Sequence, residues 1–153
     1  LAANATQFGA LTCKVCPLGR FSGALGATFC SPCAAGKIAA ATGALSVVLA
    51  VPLISLNRRT FHAQCDSCPP GKFAGNVSLS QCTPCARGKY QDQPGASICQ
   101  PCPIGKSISS TGQPACEACR PGLFSNVTGA SACQKCAPGS FGGGAKCTLC
   151  LPG

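Results

Sequence analysis

The sequence has no tryptophan and no methionine, and only one tyrosine, one histidine and three acidic residues, Asp66, Asp92 and Glu117. Each shortage removes a class of explanation. Ordering a residue costs roughly 1–2 kcal/mol of backbone entropy. With seven phenylalanines and a scattering of Leu, Ile and Val over 153 residues, the large apolar side chains that offset this cost are few. Much of the hydrophobic fraction is alanine and cysteine, which bury little area. A conventional core is therefore not expected, and something covalent or metallic has to replace it. The three acids lie far apart and offer no paired carboxylates for acid–base work. They are also too few to cluster as oxygen ligands for calcium. His62 reads as a lone exposed histidine, and no glycine-rich loop is followed by Lys-Ser/Thr to cradle a phosphate. An enzyme is not expected, and neither is a cofactor.

What is abundant is cysteine (16), glycine (19) and proline (13). The twelve Lys and Arg give a formal net charge of +9 but are spread along the chain, with no polybasic run beyond Arg58-Arg59. That pair reads as solvated loop charge rather than a processing site. Nucleic-acid binders cluster their basic residues and add stacking aromatics, so nucleic acid is not an expected partner. No signal peptide is visible at the N-terminus, and a mature chain would lack one.

The cysteines form eight CxxC pairs, at 13/16, 30/33, 65/68, 82/85, 99/102, 116/119, 133/136 and 147/150. The first cysteines at 65, 82, 99, 116 and 133 are each 17 apart, as are 13 and 30, and the last step is 14. Glycine follows the second cysteine by three throughout (Gly19, Gly36, Gly71, Gly88, Gly105, Gly122, Gly139, Gly153), which allows positive φ or close backbone approach after the cysteine. A second glycine lies ten after it at Gly26, Gly43, Gly95, Gly112 and Gly129, with Ser78 as an exception. Five after the second cysteine stand Phe21, Ile38, Phe73, Tyr90, Phe124 and Phe141, placed to cover disulfides and pack on a neighbouring repeat, with Ser107 breaking the series. Short extended pieces around K-F/Y-S predict small hairpins, too short for a real sheet. The expected architecture is an elongated rod of small disulfide-rich repeats, built from short β-hairpins and loops, with little regular secondary structure.

The repeat divides the chain. Residues 1–12 read as the tail of a preceding repeat, 13–46 as two cysteine repeats, 47–64 as a degenerate apolar repeat, 65–146 as five repeats with the last shortened, and 147–153 as the start of another. The chain reads as a window on a longer array. The stretch ALSVVLAVPLISL, residues 44–56, lies across the degenerate unit, and a count of 17 from Cys30 and Cys33 lands on Val47 and Ala50. With Ile38 to Gly43 before it the uncharged run is nineteen residues, a length that would allow a membrane span. However, Pro52 interrupts it and cysteine repeats with sequons flank it, so no span is expected in the segment. It is read instead as an apolar loop, buried or serving as an assembly contact through Val48, Leu49, Val51, Leu53 and Ile54.

The same spacing is close to a four-cysteine zinc pattern. Uniform recurrence speaks against it, as does the presence of three N-glycosylation sequons at Asn4, Asn76 and Asn126, all between the two repeat glycines. A disulfide framework in an oxidising compartment is expected, with no metal. Which cysteines pair is not fixed by sequence. Either each CxxC closes on itself, or the second cysteine of one pair joins the first of the next. The second scheme is preferred because it closes loops of roughly 15 residues, each constraining the unfolded chain by about 3 kcal/mol. It joins Cys16 to Cys30, Cys33 to Cys65, Cys68 to Cys82, Cys85 to Cys99, Cys102 to Cys116, Cys119 to Cys133 and Cys136 to Cys147, and leaves Cys13 and Cys150 to partners outside the segment.

The units CPLGRFSGALGATFCSPC, CPPGKFAGNVSLSQCTPC and CRPGLFSNVTGASACQKC resemble the ephrin-receptor-like cysteine-rich repeat, related in style to EGF-like and tumour-necrosis-factor-receptor modules. The resemblance covers nearly the whole chain except about 47–64. It implies an extracellular, disulfide-laddered rod with bonds between successive CxxC pairs, and it carries over no catalytic residue. The expected function is that of an extracellular structural or adhesive glycoprotein, part of a fibre or surface appendage. The alternative is the ligand-binding ectodomain of a cell-surface receptor. Expected partners are other copies of the chain or other extracellular proteins. Acidic glycans are a further candidate, because Arg20, Lys37, Lys72, Lys89 and Lys106 all sit four after the second cysteine and would form a positive stripe; the plainer account of that stripe is a solubilising face.

Overall fold

The computed structural model describes residues 16–22, 29–40 and 64–151. Among the described residues there is no helix; the chain forms seven antiparallel two-stranded hairpins. Six of them pair two residues with two: β1 (Arg20–Phe21) with β2 (Ser31–Pro32), β3 (Lys37–Ile38) with β4 (Asp66–Ser67), β5 (Lys72–Phe73) with β6 (Thr83–Pro84), β7 (Lys89–Tyr90) with β8 (Gln100–Pro101), β9 (Lys106–Ser107) with β10 (Glu117–Ala118), and β11 (Leu123–Phe124) with β12 (Gln134–Lys135). The last pairs β13 (Ser140–Gly143) with β14 (Lys146–Leu149). The expected class, small disulfide-rich hairpin repeats, is the one observed.

A rung begins at the second cysteine of each CxxC. Its disulfide runs to the first cysteine of the next pair: Cys16–Cys30, Cys33–Cys65, Cys68–Cys82, Cys85–Cys99, Cys102–Cys116, Cys119–Cys133 and Cys136–Cys147. Cys150 is a free, exposed thiol, and Cys13 lies outside the described residues. Within the rung opening at Cys68, the Lys72 amide donates to the Pro69 carbonyl at 3.1 Å, closing the turn that the Pro-x-Gly signal predicts. The Cys85 amide then donates back to Gly71 at 2.9 Å.

Three further backbone bonds tie each of the rungs opening at Cys33, Cys68, Cys85 and Cys102 to the next. The Gly71 amide donates to Gln91 O at 2.7 Å, the Ala74 amide to Ala96 O at 3.1 Å, and the Gly95 amide to Cys68 O at 2.7 Å. The same trio recurs where the sequence is irregular: Gly36 to Ala74 at 2.8 Å, Ala39 to Leu79 at 3.2 Å, and Ser78 to Cys33 at 2.9 Å. The rung opening at Cys33 thus stands directly on the rung opening at Cys68, although its disulfide spans 32 residues instead of 14. Residues 47–63 of the expected degenerate repeat, with Val48, Leu49, Val51, Leu53 and Ile54, lie outside the described residues.

Glycine at the third position is required twice over. Gly71 has φ +82, and a Cβ there would collide with the carbonyl of Gly112, two rungs ahead. Gly36 meets Gly95, and Gly88 meets Gly129, in the same way. Each of these three rungs therefore touches the next two.

The buried column differs from the one expected from the aromatics. Cys33, Cys68, Cys85 and Cys102 are fully buried, and beside them lies the residue six after each second cysteine: Ala39, Ala74, Gln91, Ile108 and Ser125. The aromatics one position earlier are half-buried, and Phe141 is 60% exposed. The physical reason is the backbone ladder. The sixth residue donates and accepts inter-rung bonds, so its side chain is held between rungs, while the fifth points out of the hairpin's other face. The two polar members of the column are satisfied locally: Gln91 Nε2 donates to Ile98 O at 2.8 Å, and Ser125 Oγ to Val127 O at 3.1 Å.

Candidate interaction surface

The ladder leaves several side-chain positions of each hairpin exposed, and one of them repeats a charge. Arg20, Lys37, Lys72, Lys89 and Lys106 each open the first strand of a hairpin and are exposed. The turn closed by the third-position glycine fixes this placement, because the residue after the glycine is the first that can enter the strand. Directly across from the five cations stand Pro32, Ser67, Pro84, Pro101 and Ala118. None of these carries charge, so no cross-strand partner neutralises a cation. Arg20 alone makes a defined polar contact, its Nη1 donating to Cys30 O at 3.1 Å.

Register adds a residue that the sequence pattern missed. In the hairpin of β11 and β12 the first position is Leu123, which breaks the basic series, but its cross-strand partner is Lys135, also exposed. Only the pairing could have shown this, since Lys135 belongs to the C-x-x-C interval and not to the position four after a cysteine. Two of the three acids lie at the other pair of their hairpins, Asp66 across from Ile38 and Glu117 across from Ser107.

Asn76 and Asn126, the sequon asparagines among the described residues, are exposed on loop tips, and Asn4 lies outside them. Ser78, which completes the first of these two sequons, has φ 61 at the position where Gly95, Gly112 and Gly129 have φ 74, 73 and 75. His62, Arg58 and Arg59 also fall outside the described residues. Among the described residues no group of three or more His, Cys, Asp or Glu could hold a metal ion, and no helix is long and apolar enough to cross a membrane.

Residues 71–112 match the family described as tyrosine-protein kinase ephrin type A/B receptor-like. The matched stretch runs from Gly71 to Gly112, the two glycines that the fold brings into backbone contact. No curated protein sequence matches the chain.

Proposed function

We propose that this chain, an array of ephrin-receptor-like cysteine-rich repeats, belongs to the ectodomain of a cell-surface or secreted receptor-type protein and acts there as a stiff arm presenting a repeated binding surface. The observation that carries this reading is the ladder itself. Each rung is closed by a disulfide, the rungs opening at Cys33, Cys68, Cys85 and Cys102 are tied to the next by the same three backbone bonds, and the position opening the first strand stays exposed in the first five hairpins. Such a quasi-one-dimensional stack holds its shape without a globular core. It requires an oxidising compartment, because seven disulfides do not persist in a reducing one. The family match supports a receptor ectodomain over the fibre subunit that composition and repeats alone favour. N-linked glycans at Asn76 and Asn126 belong to this reading, as exposed loop-tip sites in a secreted chain.

The test is expression of the whole chain in a secretory host. The expected result is an exported protein whose mass falls on removal of N-glycans and which binds saturably to a panel of cell surfaces, with binding lost on disulfide reduction. Filaments assembling from the purified chain, with no cell binding, would restore the fibre reading and overturn this one.

A further inference from the structure

The hairpins sort charge by face. Directly opposed residues of an antiparallel pair share a face, and successive residues of a strand point to opposite faces. One face of six consecutive hairpins carries Arg20, Lys37, Lys72, Lys89, Lys106 and then Lys135, the last restored by the cross-strand position where Leu123 interrupts the series. The other face carries the half-buried aromatic position together with Asp66 and Glu117. Because the rungs opening at Cys33, Cys68, Cys85 and Cys102 repeat the same backbone bonds to the next rung, equivalent positions recur in series, rung after rung, as a line of cations.

We propose that this line is a binding track for a linear anionic polysaccharide, bearing sulfate or carboxylate groups, that runs along the array and meets one cation per rung. The proposal rests on the reading of the chain as an ectodomain, since that is where such polymers are met. A polymer with regularly spaced anions matches a line of regularly spaced cations, whereas a folded acidic protein offers its charge as a patch. Single-stranded nucleic acid would need aromatic platforms beside the cations, and here the aromatics occupy the opposite face. Pro32, Pro84 and Pro101 stand across from three of the cations, giving the track a rigid apolar floor with no backbone N–H of its own and suited to the C–H faces of sugar rings.

The experiment uses the whole chain with its disulfides intact and immobilised heparin as the probe, at physiological ionic strength. Lys89→Glu, Lys106→Glu and Lys135→Glu should each weaken binding by about three- to tenfold, the scale expected for reversing one exposed ionic contact. Lys146→Glu makes the same change in net charge, but Lys146 pairs with Gly143 and by alternation lies on the aromatic face, so it should change affinity less than about twofold. Leu123→Lys, which completes the first-strand series, should strengthen binding. Equal losses for Lys135→Glu and Lys146→Glu would reduce the effect to net charge and overturn the track, as would no binding by the unaltered chain. Binding to cells that survives digestion of surface polysaccharides would assign a protein partner and also overturn it, while leaving the ectodomain reading intact. A chain that is not exported with its disulfides formed would sink the ectodomain reading instead.

Discussion

The amide of Gly36 donates to the carbonyl of Ala74 at 2.8 Å, the same bond that Gly71 makes to Gln91 at 2.7 Å. The first bond crosses the long interval of the chain and the second a regular one, yet the rung-to-rung geometry is the same. The Cys33–Cys65 disulfide closes at a Cα–Cα distance of 5.7 Å, as does Cys68–Cys82, despite sequence separations of 32 and 14.

Shortening the interval between Ala40 and Gln64, until Cys33 and Cys65 are as close in sequence as Cys68 and Cys82, should therefore leave every disulfide in place. Loop-closure entropy changes slowly with length, and the stability change should stay within about 1 kcal/mol. Non-reducing peptide mapping and denaturant unfolding of the shortened chain measure both; scrambled bonds around Cys33 and Cys65 would contradict the direct stacking of these rungs.

Two glycines with the same backbone conformation should respond differently to alanine. Gly88 has φ +76 and its Cβ would strike the Gly129 carbonyl, whereas Gly139 has φ +75 and open space. Gly139→Ala should cost about 1–2 kcal/mol, the left-handed penalty alone. Gly88→Ala adds a backbone collision and should cost about 2–5 kcal/mol. Denaturant midpoints with disulfides intact give the comparison, and equal costs would mean that the contact with the second rung ahead is not held in solution.

Ser78 is the only non-glycine residue at positive φ among the described residues. Ser78→Gly should stabilise the chain by about 1 kcal/mol by relieving that conformation. The same change destroys the Asn76-Val77-Ser78 sequon. Material from an oxidising but non-glycosylating host isolates the backbone effect, and in a glycosylating host the variant should lose one glycan. Asn76→Gln should lose the glycan with no gain in stability.

Removing one rung's bond by Cys85→Ala with Cys99→Ala should cost about 3 kcal/mol, the chain-entropy value for a loop of this size. In a stack where contacts reach only two rungs, the damage should stay local. Limited proteolysis should open sites between Cys68 and Cys133 while leaving the Cys136–Cys147 hairpin resistant; cleavage along the entire array would point to global cooperativity instead.

Much of this was legible because the repeat is dictated by covalent and steric needs. The CxxC spacing, the third-position glycine and the K-F/Y-S strands each have a local cause, and they specified hairpins of the kind observed. The identity of the buried column was not legible. Alanine, glutamine, isoleucine and serine at the sixth position share no hydrophobic signature; what they share is a backbone that bonds to both neighbouring rungs. The basic series was visible up to Lys106, but its continuation at Lys135 depends on cross-strand register, which a sequence read along one chain does not display.

The contact between Gly71 and Gly112 also sets a timetable. During synthesis the earlier glycine meets its last neighbour only after Gly112 has emerged. Each rung can close its own disulfide early, yet its packing is finished by chain that does not yet exist. A growing array of this kind always carries about two unfinished rungs at its leading edge, and that edge is where helpers, modifying enzymes or a misplaced second chain would find it open.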